Sequence, residues 1–403
     1  MTLWPALFAL GCSLLASADG RDLRVGIDVK SIGEAIQIAQ PGDTIHLQPI
    51  VYHDYAGFRG KKGAPGKPIT LDGHGATLDG SEPLDPSKWK EVSPGLFACD
   101  TLLPQLDTGI ISRWFFLCNG AMNHMGRTSK GTKAPFKKPD ELRPGEWTFV
   151  EDRSRAKTYS RQIFGTFYVK VPPGQALADA NIAAPVRAAG VQFSGDNAHL
   201  LIKNITATHC YNDGFNIHGH CCDVVFENIR AIECGDDGIS AHETAEYRVD
   251  GLLSIGNSTG ITDIGAARTR YNRVFIADCR GHDLYFLNNG RYQIANAVVL
   301  SSSEHPLTVT AADGEHCELI LDNVLIRRRG APEPARVQKN AALRAKRVTM
   351  ENMDLINLGQ ATLENCLVNG QPRPENSKAT GADKTSLIRQ LVPPAYLSEF
   401  TRP

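Results

Sequence analysis

The chain is 403 residues long, 42% hydrophobic and 22% charged, with a formal net charge of −1. That composition supports a globular core and excludes wholesale disorder. A near-neutral chain carries no global field for nucleic acid or an anionic membrane, and its 15 Phe residues are scattered rather than arrayed for base stacking, so neither partner is expected.

The opening MTLWPALFALGCSLLASADG has a short apolar stretch followed by Ala16-Ser17-Ala18, the small-x-small pattern that signal peptidase accepts. Residues 1–18 read as a cleaved export signal, which makes the mature protein secreted or periplasmic; a lipid anchor at Cys12 is the alternative. The apolar run is too short to cross a bilayer, and no later segment approaches about 18 uninterrupted apolar residues, so no membrane span is expected. Nine cysteines remain beyond the signal, an odd set without a CxxC pair. Neither a fully paired disulfide framework nor a zinc site is expected from it.

Ser31 to Ala39 reads SIGEAIQIA, with a capping box of Ser31 and Glu34 and with Ile32, Ala35, Ile36 and Ala39 on one face. This amphipathic helix runs into the turn Pro41-Gly42-Asp43 and an alternating strand, Thr44-Ile45-His46-Leu47. Short strands follow at 68–73 and 76–80. A helix whose apolar face lies across the first strands of a stacked array is what a terminal cap needs.

From about residue 191 the chain repeats itself. IKNITATHCYNDGFNIH (202–218) and FENIRAIECGDDGISAH (226–242) match at a constant offset of 24 positions, pairing Asn204 with Asn228, Cys210 with Cys234, Asp213 with Asp237 and His218 with His242. With Asn204 as marker, Asn228, Gly251, Arg273, Asn296 and Asn323 continue the series at spacings of 24, 23, 22, 23 and 27. A fixed period of this size means stacked structural units. Each unit holds β-prone runs such as VVFENI, RVFIA and LILDNVLI between polar turns, with no three-and-four apolar spacing. The unit is therefore three short strands and their turns, one coil of a parallel β-helix, and the predicted fold is an all-β solenoid spanning residues 19–370. Cys210, Cys234 and Cys279 read as small core side chains in one column. Residues from about 100 to 185 break the repeat and read as an inserted β/loop segment with two basic runs, Lys130 to Lys138 and Arg153 to Lys157. The basic stretch 327–347 reads as a solvated loop, and 371–403 as an extended C-terminal tail. A capped solenoid needs no second copy, so a monomer is expected.

The N-terminal SIGEAIQIAQPGDTIHLQPIVYHD…GKPITLDG…ATLDG and the repeats from 191 to about 329 resemble the pectin-lyase-like superfamily of right-handed parallel β-helices. That resemblance implies the fold and a carbohydrate-related role, while lyases, hydrolases, epimerases and inert adhesins share the scaffold. Within it, YNDGFNI resembles the Asn-Thr-Asp-Gly motif of polygalacturonase-type glycoside hydrolases, and ECGDDGISA resembles their Gly-Asp-Asp motif one coil later. Carried over, Asp213, Asp236 and Asp237 are the catalytic carboxylates. The chain departs from that pattern downstream: Asn257-Ser258-Thr259-Gly260 stands where a Gly-His-Gly motif is expected, and His305 to Val309 where an Arg-x-Lys pair is expected.

Residues 24 apart become neighbours one strand spacing apart, about 4.8 Å. Asp213 and Asp237 are thus expected side by side with Asp236 next to them, and His218 above His242. His282 and His305, two and three coils past Asp237, fall about 10 and 14 Å away at that spacing. His242 is then the imidazole placed to orient or carry a proton, with His218, Arg268 and His282 as candidate sugar contacts. The Asp-Gly pairs also suit turns, with Asp accepting backbone N–H bonds and Gly supplying a positive φ. Asp236 is the residue that a turn does not need.

Strand alternation points Phe215, Ile217, Ile239 and Ala241 inward and Asn216 and Ser240 outward, so the carboxylates flank one polar outer strip, from which three functions follow. The first is hydrolysis of a polysaccharide by paired carboxylates, which needs no cofactor. The second is β-elimination of a uronate polymer, with Asp213, Asp236 and Asp237 holding Ca²⁺ and Arg268 or Arg270 taking the ring proton. The third is glycan binding at a cell surface without catalysis.

Overall fold

A computed structural model describes residues 20–131, 134–155, 161–374 and 378–401. The export signal over 1–18 and Cys12 lie outside these residues.

Strand formation follows the alternation seen in the sequence, and two parallel sheets run the length of a right-handed β-helix. The longer strands, among them Asn197–Thr208, Cys221–Ile232, Glu246–Ile255, Arg268–Ala277, Arg291–Ser301 and Cys317–Arg328, form one sheet. Each bends near its middle at a residue in the left-handed region: Asn204, Asn228, Gly251, Arg273, Asn296 and Asn323, with φ between 51° and 90°. These are the repeat markers. Asparagine tolerates that conformation by bonding locally, and here the amides also bond along the axis, Asn296 Nδ2 to Asn272 at 2.8 Å and Asn323 Nδ2 to Asn296 at 2.8 Å. The shorter strands form the second sheet, including Val191–Ser194, Phe215–Ile217, Asp237–Ala241, Thr259–Asp263, His282–Leu287 and His305–Thr310. Inward Phe193, Phe215, Ile239, Ile261, Leu284 and Leu307 from this sheet meet Ile202, Phe226, Val249 and Tyr271 from the other in one continuous core.

The ends are closed by different means. At the start, the helix Ile32–Ile38 buries Ile32, Ala35 and Ile36 against the first coils, with Ser31 capping the Glu34 amide. Glu34 returns its carboxylate to the Lys30 amide rather than to that of Ser31, so the box is shifted by one residue. At the other end Gln371–Arg373 turns back antiparallel to Cys366–Val368 and stops the stack. The extended tail expected over 371–403 is corrected here: Lys384–Leu391 is a helix, and Ala382, Leu387 and Val392 pack on Phe275, Val298, Leu300 and Leu325 of the long-strand sheet. Its apolar spacing is that of a short amphipathic helix, masked in the sequence by polar flanks. The basic stretch 327–347 is likewise no solvated loop. Its Ala335–Val337 and much of Ala341–Glu351 are strands of the next coil, and Arg327 and Arg347 are paired with Glu351 and Asp322.

The insertion begins earlier than expected, at Ser81–Pro83, and returns at Ile182–Pro185. It is antiparallel throughout and has its own aromatic core of Trp89, Trp114, Phe116, Trp147, Phe149 and Phe167. Trp114 stacks on Tyr211 of the coil that carries Asp213, which seats the insertion on the solenoid. Among the described residues no helix is long and apolar enough to cross a membrane.

Candidate functional site

The register brings the predicted carboxylates together. Asn216 pairs with Ser240 and Phe215 with Ile239, so Asp213 lies one coil from Asp237, and the Asp236 amide bonds the Asn212 carbonyl. One oxygen of each of Asp213, Asp236 and Asp237 lies within 4.8 Å of the others. Asp213 Oδ1 accepts the Asp237 amide at 3.1 Å and its Oδ2 accepts the Ser240 hydroxyl at 2.8 Å. Thr262 donates to Asp237 at 2.9 Å. The glycines of both Asp-Gly pairs have a role other than the expected positive φ, which neither adopts. A Cβ on Gly214 would meet Ala231 Cβ and the Gly238 carbonyl at 2.8 Å, so glycine is required by close approach of the coils.

The cluster does not face an open groove. Asp213, Asp236 and Asp237 are 2%, 9% and 4% exposed because the insertion lies over them. Lys130 reaches in from it, 2.7 Å from Asp236 and in contact with Asp237, while Arg113 donates to Asp236 at 3.1 Å. Ser129 also bonds Asp236, and Thr128 bonds Ser258 at 2.6 Å. The outward strip of Asn216 and Ser240 is buried with the carboxylates. Lys130, Arg113 and Ser129 belong to no motif or repeat of the sequence, and the basic run from Lys130 to Lys138 is the signal that points to the first of them.

Three carboxylates and two cations at this spacing cannot all stay ionised. Burial and the Asp236 charge push Asp237 well above the carboxylate range and Asp213 up to about 6. Burial acts on Asp236 in the same direction, but Lys130 and Arg113 outweigh it and hold that carboxyl well below its ordinary value. The Lys130 ammonium is raised, because both carboxylates overcome its own burial. Asp237 thus holds its proton more strongly than an ordinary carboxyl and Asp236 less strongly, with Lys130 in contact with both and Arg113 with Asp236.

The histidines fall where the register puts them. His218 and His242 stack with centroids 3.8 Å apart and planes 10° off parallel. His242 Nε2 lies 3.2 Å from Ser240 Oγ, which bonds Asp213, and His218 pairs with Glu243 at 3.1 Å. Burial and His218 lower His242 to about 4, so it is neutral near pH 7. His282 is buried two coils from Asp237, stacked on Tyr285 at 4.3 Å and beside His305 at 4.5 Å. Arg268 is not brought to the carboxylates. It stands on the long-strand sheet, in register with Glu246 and Arg291, because the coil turns between residues 263 and 268.

The three carboxylates are spaced as ligands of a divalent cation would be, but the Lys130 ammonium lies among them, 2.7 Å from Asp236 and in contact with Asp237, so a cation would have to displace it. Arg268 and Arg270 face away on the other sheet, so the elimination machinery is not assembled.

No protein-family model matches the chain, and no curated protein matches it. Among solved structures, that of XylC in complex with xylose is similar, with a TM-score of 0.50 at 12% identity, covering 84% of this chain and 70% of that one. At this identity the likeness concerns the fold alone.

Proposed function

We propose that this β-helix processes polysaccharide as a glycoside hydrolase, with Asp237 as proton donor and Asp236 as the ionised partner. The carrying observation is the cluster itself: Asp213, Asp236 and Asp237 each place an oxygen within 4.8 Å of the others. The unequal surroundings of Asp237 and Asp236, burial beside a like charge for one and two cations for the other, push their proton affinities apart, as glycosidic cleavage by paired carboxyls requires. Asp213, tied to His242 through the Ser240 hydroxyl, orients the Asp237 backbone and gives the cluster a hydrogen-bonded path as far as His242, on which the half-buried His218 stacks. Xylose bound to a protein of similar fold is in keeping with a sugar ligand. For substrate to reach the carboxyls Lys130 has to leave them, and Arg113, 3.1 Å from Asp236, is then the cation that still lowers that carboxyl.

A second reading is favoured by the burial. The same ion pairs fasten the insertion to the coils, and the chain then binds glycan without cutting it. Incubation of wild type and Lys130→Ala with neutral and acidic polysaccharides, read as reducing ends and as unsaturated-uronate absorbance, separates the readings. Reducing ends without the chromophore support hydrolysis; both signals together support elimination. Silence from both proteins, with binding retained, leaves the clamp.

A further inference from the structure

The outward cations on the first half of the long strands are mostly neutralised. Lys203 pairs with Asp72, Arg291 and Arg344 with Glu318, and Lys346 with Glu364. Arg248, Arg268 and Arg270 are exposed, and none of the three has an ion-pair partner among the described residues. They are contiguous: Arg248 is in register with Arg270, Arg268 with Arg291, and Arg268 and Arg270 share one strand face. Together with the paired Arg291 they line a depression of about 510 Å³, to which Asn289 and Gln293 add neutral polar groups and Asp223 and Glu246 add carboxylates. Glu246 borders Arg268 in the register and Asp223 pairs with His199, so the three unpaired arginines outnumber the lining carboxylates and the block stays net positive.

We propose that this block is a binding site for an anionic polysaccharide, on a different sheet from the carboxylate cluster. Stacked coils repeat cations about 4.8 Å apart along the axis, and alternate residues repeat them about 7 Å apart along a strand, a grid suited to a polymer with regularly spaced anionic groups. Guanidinium forks take sulfate or carboxylate oxygens in pairs, which a free ammonium does not. Asn289 and Gln293 meet hydroxyls. The one ring in the depression, Tyr247, is buried, so bases have nothing to stack on and nucleic acid is disfavoured.

The test is calorimetric titration of the full chain with a heparin-derived hexasaccharide, a hexagalacturonate and xylohexaose, at low and at physiological salt. The site predicts binding of at least one acidic oligosaccharide that weakens with salt, and at least a ten-fold loss in Arg248→Ala/Arg270→Ala with no loss in the paired control Arg344→Ala. Which acidic sugar binds tells sulfate from uronate. Neither exposed arginine holds the fold, and both lie away from Asp236, so this result is independent of any hydrolytic activity. No binding of either acidic sugar, equal loss in the control, unchanged binding by the double variant, or equally tight binding of xylohexaose would each overturn the proposal.

Discussion

Lys130 Nζ lies 2.7 Å from an Asp236 carboxylate oxygen, joining a loop of the insertion to a coil of the solenoid. Both side chains are largely shielded from water, so each is the other's main compensation for lost hydration. Truncating one partner leaves an uncompensated charge and is expected to cost about 3–5 kcal/mol. Lys130→Met and Asp236→Asn should each be that destabilising in urea unfolding, and the double variant much less so than their sum. Strict additivity would show that the pair is not coupled.

The internal Asp263 makes a prediction of pH dependence. It points into the core at the position of Ala241 and Phe286, and accepts bonds from Thr269 at 2.5 Å, Tyr271 at 2.9 Å and Tyr247 at 3.2 Å. Burial, only partly offset by these donors, raises it to about 6 from 3.8. A raised folded value means that its contribution is complete below the unfolded pKa and is lost as pH climbs through about 6. Asp263→Asn should therefore gain stability relative to wild type between pH 4 and pH 7, by up to about 3 kcal/mol. Chemical denaturation at both pH values checks this; a pH-independent difference would contradict it.

Asp236 works in the opposite direction. Its depressed folded value stabilises the protein above the unfolded carboxylate pKa, about 3.9, and that contribution disappears as pH falls further. Protection of the insertion from proteolysis should fail in acid, and in Asp236→Asn it should already be reduced at pH 7.

Asn296 sits in the left-handed region at φ 51° and bonds both Asn272 and Asn323. Asn296→Ala removes two hydrogen bonds and places a Cβ in a disfavoured conformation, a loss of about 2–3 kcal/mol. Asn296→Gly should recover part of it, because glycine relieves the backbone but not the ladder. Thermal unfolding of the two variants separates these contributions.

Gly238 has no room for a methyl group, as a Cβ would meet the Gly260 carbonyl at 2.6 Å and also press on Ser254. Gly238→Ala should be among the most destabilising single changes in the coils, measured by urea unfolding against Gly33→Ala, where nothing lies within 4 Å.

Counting was enough to place Asp236 opposite Asn212, His218 over His242, and His282 two coils beyond Asp237, because parallel in-register coils convert sequence offsets into neighbours. The same logic has no purchase on Lys130 and Arg113. They belong to a segment without a period, and they meet Asp236 across 106 and 123 residues of chain. The reading of Gly214 and Gly238 as turn residues was reasonable for Asp-Gly, yet what they supply is space between coils, which depends on packing and not on local propensity. Arg268 follows the Asp237 coil by about one repeat in sequence, but the corner after Asp263 turns it onto the other sheet, away from the sugar-contact role its spacing suggests.

Asp237→Asn offers the most direct test of the carboxylate assignment. A carboxamide has nearly the shape of the Asp237 carboxyl, whose ionised form burial and the Asp236 charge disfavour, so folding should be preserved while the transferable proton is lost. On the polysaccharide that wild type cleaves, kcat measured from reducing ends should fall by about 10²–10⁴, the usual contribution of a general acid, with an unchanged circular dichroism spectrum. Equal turnover by the folded variant, or no cleavage of any glycan by wild type or Lys130→Ala, would contradict the account.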